Sequence, residues 1–532
     1  MPATPAPPLA ALTLVLALAL NLPAPAAAAA PPSTQVAWLQ ASARAHIDQA
    51  FAQARQAGKP VLLYWGATWC PPCNQLKATL FNRQDFAALS RSFVAVHVDG
   101  DLPGAQKIGQ QFKVSGYPTM VLMRPDGSEL TRLPGEADAE QVMALLRLGL
   151  AGGRPVKAVL DDARAGKPLA ADDWRLLSFY SWETDDDQLL AGTDAATVLA
   201  QLAPAATAAN GPAEAVTRLW LKALAASDDG KGVKADDGLR ERVRKVLADP
   251  AQVRLHADVI GGRADDIVRA VGASAQQRQA FAALFEPALR RLEADATLSR
   301  ADRLSALVAR VELARLELPR RELRPTLPAE LLAHLREHVA EADRGIRDGY
   351  ERQAVLPYAA YALERAGLWA DSEALLRSNL ARSHSPYYLM SQLGSLKRKL
   401  GQNAEALDWY AQAFDKSQGP ATRLQWGAAY LQALVDLAPG DAARIEKTAG
   451  QLFDEAAQDD GAFYKRSGRS MQRVGRALQA WNKEGSRDAS LRRLQARLGP
   501  LCSKVDESDG RRANCQALLA GAAGKPAGKP AG

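Results

Sequence analysis

Hydrophobic positions between residues 35 and 150 change repeatedly from a helical to a strand-like spacing. Apolar residues at near-helical intervals predict an amphipathic helix over residues 35–57, and the apolar run within "KPVLLYWGA" that follows is typical of a strand buried on both faces. Beyond it the pattern predicts helices over residues 72–90, 102–112 and 139–150, strands over residues 93–98 and 119–124, and a further strand, 129–133, entered through the turn "PDGS". This order predicts an α/β domain over residues 35–150, with a mixed central sheet flanked by helices.

From residue 155 onward the chain becomes rich in Ala, Leu and Arg at helical spacing, which predicts a large all-α array of helical hairpins. Gly367 and Gly401 lie 34 residues apart, as do Pro386 and Pro420, and this is the period of tetratricopeptide repeats. Two EAL tripeptides nearby lie 32 residues apart, so the period is not kept throughout. We therefore expect an all-α region over residues 155–350 and a tetratricopeptide-like region over residues 351–520.

Both ends of the chain differ in composition from the rest. Residues 9–22 form an apolar stretch, and Ala24, Ala26 and Ala28 permit cleavage after small residues. This pattern predicts a cleavable secretion signal over residues 1–30 and a periplasmic location, with a tether to the inner membrane by an uncleaved N-terminus as the alternative. The low-complexity segment over residues 521–532 is expected to be disordered.

Composition and charge exclude several classes of function. With 47% hydrophobic and 23% charged residues, the 532-residue chain has the profile of a soluble globular protein. Its formal charge of +7 is small for this length and no basic run is interleaved with aromatics, so nucleic-acid binding is not expected. No nucleotide, flavin or metal motif is visible, and we expect no cofactor. In an exported protein the four cysteines suggest two intended pairs.

Two of these cysteines, Cys70 and Cys73, lie either side of a proline pair directly after the buried strand. The first turn of a helix has free N–H groups and the positive end of its dipole, which favour a thiolate at Cys70. Proline is tolerated in that first turn because its missing N–H costs no helical bond. Cys73, about one turn further, can attack a mixed disulfide on Cys70, so we predict a nucleophile followed by a resolving cysteine.

Other interpretations of the cysteines are less favoured. A zinc site normally needs four ligands, and Cys502 and Cys515 lie more than 400 residues away without a His cluster nearby, so no metal site is expected. An inert disulfide between Cys70 and Cys73 is the more serious alternative. Cys502 and Cys515 are expected to form a structural disulfide worth about 3 kcal/mol in the chain-entropy model, with a second redox relay as the alternative.

The motif "WCPPC" after a buried strand, with "GYPT" at residues 116–119 opening a later one, resembles the thioredoxin superfamily over about residues 35–150. More narrowly, this segment is similar to the C-terminal periplasmic domain of DsbD-type thiol:disulfide interchange proteins. The resemblance implies a cis-proline at Pro118, packed against the disulfide, and a Tyr117 backbone that offers an edge to a substrate peptide. Gly135 matches the late glycine of the family, where the backbone passes close beneath the redox pair.

Aromatic residues near these motifs have two possible roles. Trp69, directly before the nucleophile, is expected to form part of the substrate-facing surface rather than the core. In the helical region, four aromatic residues are expected to pack between helices rather than form a ligand cage: Trp409, Tyr410, Trp426 and Tyr430.

Two departures from the thioredoxin pattern concern the proton of Cys73. Tyr64 lies where the family usually buries an aspartate, and Ala95 lies where a lysine commonly faces it. The proton acceptor is therefore water, a carboxylate elsewhere, or His97, although a lone histidine on a core strand is more often a packed, hydrogen-bonded one.

Together these features predict an exported thiol–disulfide oxidoreductase, and the resemblance favours reduction or isomerisation over oxidation. Expected partners are protein thiols and disulfides, a membrane or soluble thiol reductant, and a peptide or protein client on the helical array. The alternative is a helical-repeat binding or scaffold protein whose redox domain is auxiliary or vestigial.

Overall fold

The computed structural model describes Ala3 and residues 35–519, apart from residues 136, 137, 186, 187, 191, 229, 506, 508 and 509. The secretion signal predicted over residues 1–30 and the tail predicted over residues 521–532 lie outside the described residues.

The N-terminal domain is built on a mixed sheet of five strands in the order β1-β3-β2-β4-β5. Strands β1, β3 and β2 are parallel, whereas β4 pairs antiparallel with β2 and β5 pairs antiparallel with β4. The central strand β2 is buried at every position, as its continuous apolar run predicts. The strands are β1 (Leu39–Gln40), β2 (Val61–Gly66), β3 (Val94–Asp99), β4 (Thr119–Met123) and β5 (Glu129–Leu133).

Helices cover both faces of this sheet. Side chains alternate along β2, so that Leu63 and Trp65 pack in one apolar cluster and Leu62 and Tyr64 in another on the opposite face. The second cluster includes Leu76, which places the helix after the cysteine motif on the Tyr64 face. The helices are α1 (Arg44–Ala57), α2 (Pro71–Leu76), α3 (Gln84–Leu89), α4 (Ala105–Gln111) and α5 (Ala139–Leu150).

The mixed sheet flanked by helices is confirmed, and two helix predictions need correction. The predicted helix over residues 35–57 starts only at Arg44, because Leu39 and Gln40 pair with β3 as strand β1. The predicted helix over residues 72–90 is interrupted after a π-helical turn, Lys77–Phe81, and resumes as α3. The first difference depends on pairing with a distant strand, which local periodicity does not contain.

The regular elements described after residue 155 are helical, as predicted. No helix in the described part of the chain is both long and apolar enough to cross a membrane. The helices are α6 (Val156–Arg164), α7 (Ala171–Phe179), α8 (Ala195–Ala208), α9 (Ala213–Ala226), α10 (Asp237–Ala248), α11 (Pro250–Leu255), α12 (Ala257–Gly262), α13 (Ala264–Val271), α14 (Ala275–Ala294), α15 (Arg300–Ala314), α16 (Ala329–Gly345), α17 (Gly349–Arg365), α18 (Trp369–Asn379), α19 (Pro386–Lys399), α20 (Asn403–Lys416), α21 (Pro420–Leu437), α22 (Ala442–Ala456), α23 (Lys465–Trp481), α24 (Asp488–Lys504) and α25 (Arg511–Ala517).

The 34-residue spacing corresponds to one helical hairpin. Gly367 and Gly401 lie in the turns after α17 and α19, with φ of 77° and 74°, and Pro386 and Pro420 begin α19 and α21. Membership of the tetratricopeptide family stays a prediction. The boundary placed at residue 350 falls inside α17, and one apolar cluster that runs from Leu304 to Leu396 spans it.

Candidate redox site

The cysteine motif lies where β2 ends and α2 begins. Cys70 is the N-cap of α2, Pro71 is its first residue, and the Cys73 N–H donates to the Cys70 Sγ over 3.2 Å. The two cysteines form a disulfide with Cα atoms 5.3 Å apart. Cys70 is 3% exposed and Cys73 is fully buried. An N–H directed at the sulfur of Cys70 favours its thiolate once the disulfide is reduced.

The loop before β4 reaches the same place. The peptide bond between Tyr117 and Pro118 is cis, as the family resemblance implies, and Tyr117 packs against the buried cluster that contains both cysteines. Gly135 follows β5, and a Cβ atom there would lie 2.6 Å from the Pro118 Cγ. The late glycine therefore allows the backbone to pass close to the cis-proline.

Trp69 lies against the helical region. Its ring stacks on Tyr388 with centroids 5.8 Å apart and meets Trp426 edge-on at 5.9 Å. Its indole N–H donates to Asp101 Oδ2 and to Thr422 Oγ1, each over 2.9 Å. The residue predicted for the substrate-facing surface is thus partly buried beneath helices α19 and α21.

An ion pair also joins the redox domain to the helical region beside the Trp69 ring. The Arg466 guanidinium of α23 binds the carboxylate of Asp101, which also accepts the hydroxyl of Thr422. The guanidinium carbon lies 5.1 Å from the centroid of the Trp69 ring and 5.0 Å from that of Tyr117. Because Asp101 and Arg466 are largely buried, removing either would leave an uncompensated charge in the interface.

Further hydrogen bonds join the motif to helices of the all-α region. Gln353 of α17 donates to the Trp69 carbonyl over 2.9 Å, and α17 packs directly on α2. Gln75 of α2 donates to Asp302 Oδ1 over 2.8 Å. His384 Nε2 lies 3.1 Å from the Thr68 carbonyl oxygen. We call this set of contacts around Trp69, Asp101 and Arg466 the redox-face interface.

Cys70 nevertheless borders open space. It lines a cavity of about 270 Å³ together with Tyr117, Tyr388 and Arg469. A much larger cleft, about 1100 Å³, begins at Pro72 and runs between the redox domain and the helical region. Of these two spaces, only the smaller one is lined by Cys70 itself.

Four ionisable side chains lie near one another on the side of the sheet that α2 covers. Tyr64, His97 and Asp99 lie on the α2 face of the sheet, and Lys77 follows Cys73 by four residues. Burial raises the pKa of the Asp99 carboxyl. Burial also lowers the pKa of the Lys77 ammonium, although the negative charge of Asp99 acts in the opposite direction on it. Burial, then the negative charge of Asp99, raises the pKa of Tyr64, whose hydroxyl has no hydrogen-bond partner among the described residues.

His97 is a packed histidine. Its ring stacks on Tyr64 with centroids 5.0 Å apart, and its Nδ1 lies 2.8 Å from Gln40 Oε1. Burial, assisted by the charge of Lys77, lowers its pKa to about 4. His97 is thus the packed, hydrogen-bonded histidine that its place on a core strand favours.

The second cysteine pair lies far from this site. Cys502 of α24 and Cys515 of α25 form a disulfide with Cα atoms 5.5 Å apart, inside the apolar cluster of the last helices. Tyr410 and Tyr430 belong to the same cluster, and Trp409 packs on a neighbouring one, so these aromatics pack between helices as predicted. Trp426 does so through Tyr387 and Tyr388 and also contacts Trp69.

The residues that hold the helical region to the redox face carry no local sequence signal. Asp101, Thr422 and Arg466 belong to no motif, and up to 365 residues separate the partners. The one available signal was the concentration of aromatic residues near residues 387–430, which predicted packing without indicating its partner.

The sheet order, the cis-proline loop and a cysteine pair at the start of α2 together define a thioredoxin-like redox domain. The thioredoxin-like domain family matches residues 47–149 of the chain. Thioredoxin H5 of Arabidopsis thaliana is 31% identical over 97 residues, which are 18% of this chain and 76% of that protein. The thioredoxin of Mycolicibacterium smegmatis is 34% identical over 92 residues, 17% of this chain and 76% of its own. Through this domain the chain belongs to the thioredoxin family.

The relation to DsbD proteins is also confined to this domain. Thiol:disulfide interchange protein DsbD 1 of Pseudomonas aeruginosa is 32% identical over 121 residues, which cover 22% of this chain and 20% of that protein. The chain thus spans about a fifth of the length of the DsbD relatives it matches. A thioredoxin-like domain with a paired Cys70 and Cys73 supports thiol–disulfide oxidoreductase chemistry.

Proposed function

We propose that this protein is an exported thiol–disulfide oxidoreductase that exchanges disulfides with protein substrates through Cys70 and Cys73. The observation that carries the proposal is the geometry of the pair: Cys70 caps α2, receives the Cys73 N–H and borders a cavity beside the cis-proline loop. A buried cysteine without such surroundings is inert.

In the reductive direction the Cys70 thiolate attacks one sulfur of a substrate disulfide, and the other substrate sulfur leaves as a thiolate that takes up a proton. Cys73 then loses its proton and attacks Cys70, which releases the first substrate sulfur and forms the Cys70–Cys73 disulfide. Two electrons pass from the enzyme dithiol to the substrate. A membrane or soluble thiol reductant restores the dithiol, and the reverse sequence oxidises a substrate.

The direction and the location are further parts of the proposal. The similarity to DsbD-type domains supports reduction or isomerisation over oxidation. The apolar stretch and small residues near the N-terminus support export to the periplasm. The helical region adds a surface on which a peptide or protein client binds.

The test is trapping of the mixed disulfide. Without its resolving cysteine, reduced Cys73→Ser protein should retain a short disulfide-containing peptide on Cys70, visible by intact mass and released by dithiothreitol. The Cys70→Ser variant is the matched control and should trap nothing. If neither wild-type turnover nor trapping is seen, the helical-repeat binding protein with a vestigial redox domain becomes the better account.

A further inference from the structure

Three cavities adjoin one another at Pro72, directly beside the redox pair. The first, about 270 Å³, includes Cys70 and Tyr117; the second, about 150 Å³, includes Pro118 and Gly135. The third is the cleft of about 1100 Å³. Pro72 lines all three, and we call the three cavities together the groove: they lie beside the nucleophile and the cis-proline loop, with lining residues from both the redox domain and the helical region.

This groove does not admit a globular surface. Docking of two folded proteins takes roughly 800 Å² of open surface on each partner. Here the redox-face interface already covers Trp69 and Asp101, and Cys70 is 3% exposed. A single extended chain needs only a narrow channel, and it contributes backbone hydrogen bonds together with alternating side chains.

The wall of the groove beside Cys70 is cationic. Lys465, Arg466 and Arg469 line that cavity, and no carboxylate is among its described lining residues. Asp101, which does not line the cavity, forms an ion pair with Arg466 and offsets its charge. Arg469 is exposed and donates to the Ser115 carbonyl over 2.7 Å, which holds its guanidinium close to the cis-proline loop. A positive wall at this cavity favours carboxylates on the part of the bound segment next to Cys70. The larger cleft is lined by carboxylates and arginines together, so the charge preference concerns only the residues beside the reacting cysteine.

We propose that the redox pair acts on disulfides carried by extended polypeptide segments that lie in this groove and have acidic residues beside the reacting cysteine. The proposal rests on the disulfide exchange proposed above and adds the class of substrate. Electrons balance as before: the enzyme dithiol becomes the Cys70–Cys73 disulfide, and the substrate disulfide becomes two thiols.

The test uses pre-reduced full-length protein in single turnover with three probes that carry the same thionitrobenzoate mixed disulfide. Two are short linear peptides, one with glutamates and one with lysines beside the cysteine, and the third is a folded protein with one surface cysteine. Each rate is divided by the rate at which dithiothreitol reduces the same probe. This normalisation removes differences in the intrinsic reactivity of the three disulfides.

The acidic peptide should react about two- to fivefold faster than the basic one, the size expected for partly exposed ion pairs. The folded carrier should react at least about tenfold more slowly than either peptide, since reaching Cys70 then requires breaking buried contacts such as the Asp101–Arg466 pair. Arg469→Gln should remove the acidic preference, whereas Arg473→Gln, an exposed arginine on the same helix outside the lining, should leave it unchanged.

The outcomes separate the two proposals. If none of the three probes releases thionitrobenzoate, disulfide exchange itself is contradicted. Equal normalised rates for the folded carrier and the peptides overturn the groove as the selective element while exchange stands. A preference for the basic peptide, or an acidic preference that Arg469→Gln leaves intact, overturns the role of the cationic wall.

Discussion

The two disulfides of this chain are alike as bonds and differ in their surroundings. Their Cα separations are 5.3 and 5.5 Å, and all four cysteines are at most 3% exposed. Cys70–Cys73 connects a strand to a helix start, receives an N–H and borders a cavity. Cys502–Cys515 joins two helices within an apolar cluster. Burial and bond geometry are therefore similar for the two pairs, and what differs is the neighbouring N–H donor and the adjoining cavity at Cys70–Cys73. We expect this difference to make the first pair reactive and the second structural.

Substituting the cysteines of the two pairs should have its largest effect on turnover. Cys70→Ser should reduce disulfide exchange to the background rate, because no second thiolate has the same helix-start environment. The Cys502→Ser/Cys515→Ser double variant should keep its turnover below its melting temperature. Both are measured by reduction of the thionitrobenzoate peptides. Substantial turnover by Cys70→Ser, or its loss in the double variant, would reverse the assignment of the two pairs.

Stability should show the opposite order. Cys502 and Cys515 are 13 residues apart in the sequence. Removing the bond between them frees the loop that it closes and should lower the free energy of unfolding by about 3 kcal/mol. Removing Cys70–Cys73, which closes a shorter loop, should cost less. Urea denaturation of both double serine variants against wild type gives the comparison. A larger loss from the redox pair would count against a structural role for the C-terminal one.

A third change tests the packing around the redox pair without touching sulfur. Gly135→Ala places a Cβ 2.6 Å from Pro118 Cγ, so the backbone or the cis-proline loop must shift. Overpacking of this kind costs roughly 1–3 kcal/mol, and kcat/KM should fall with it. Gly345→Ala, where the added atom meets nothing within 4 Å, is the matched control. Equal behaviour of the two variants would show that the close approach is unimportant.

The smallest effect concerns the ionisable cluster. Burial raises the pKa of Asp99 above its ordinary value of 3.8, so in the interval between the two values the unfolded chain is the more ionised. The stability contributed by this group therefore falls as the pH rises through that interval. Asp99→Asn should raise Tm relative to wild type at pH 7, and the gain should disappear below the ordinary value. A Tm gain that is independent of pH would contradict this origin.

The redox domain was largely predictable because its signals are local. The buried strand, the cysteine spacing and the "GYPT" loop each occupy a few consecutive residues, and the resemblance they carry implied the cis bond at Pro118. Strand β1 was missed because Leu39 and Gln40 become a strand only by pairing with β3. Periodicity describes which face of an element is apolar, and it does not describe which distant element will cover that face.

The redox-face interface was unpredictable for the same reason. The side chains of Trp69 and Thr422 meet across 353 residues of sequence, and Asp101 and Arg466 look like ordinary surface charges until the chain is folded. Trp69, predicted to face a substrate, lines the cavity beside Cys70 and also contacts the chain's own helices. The covering of the site is thus a property of the whole fold.

The most direct measurement is the pH dependence of Cys70 alkylation in the reduced protein. Iodoacetamide labelling followed by peptide mass analysis should give a midpoint below the value of about 8.5 for free cysteine, because the start of α2 stabilises the thiolate. Using the midpoint rather than the rate removes the effect of limited access through the cavity. A midpoint at or above 8.5, with no Cys70–Cys73 bridge on reoxidation, would contradict the proposed reactive pair.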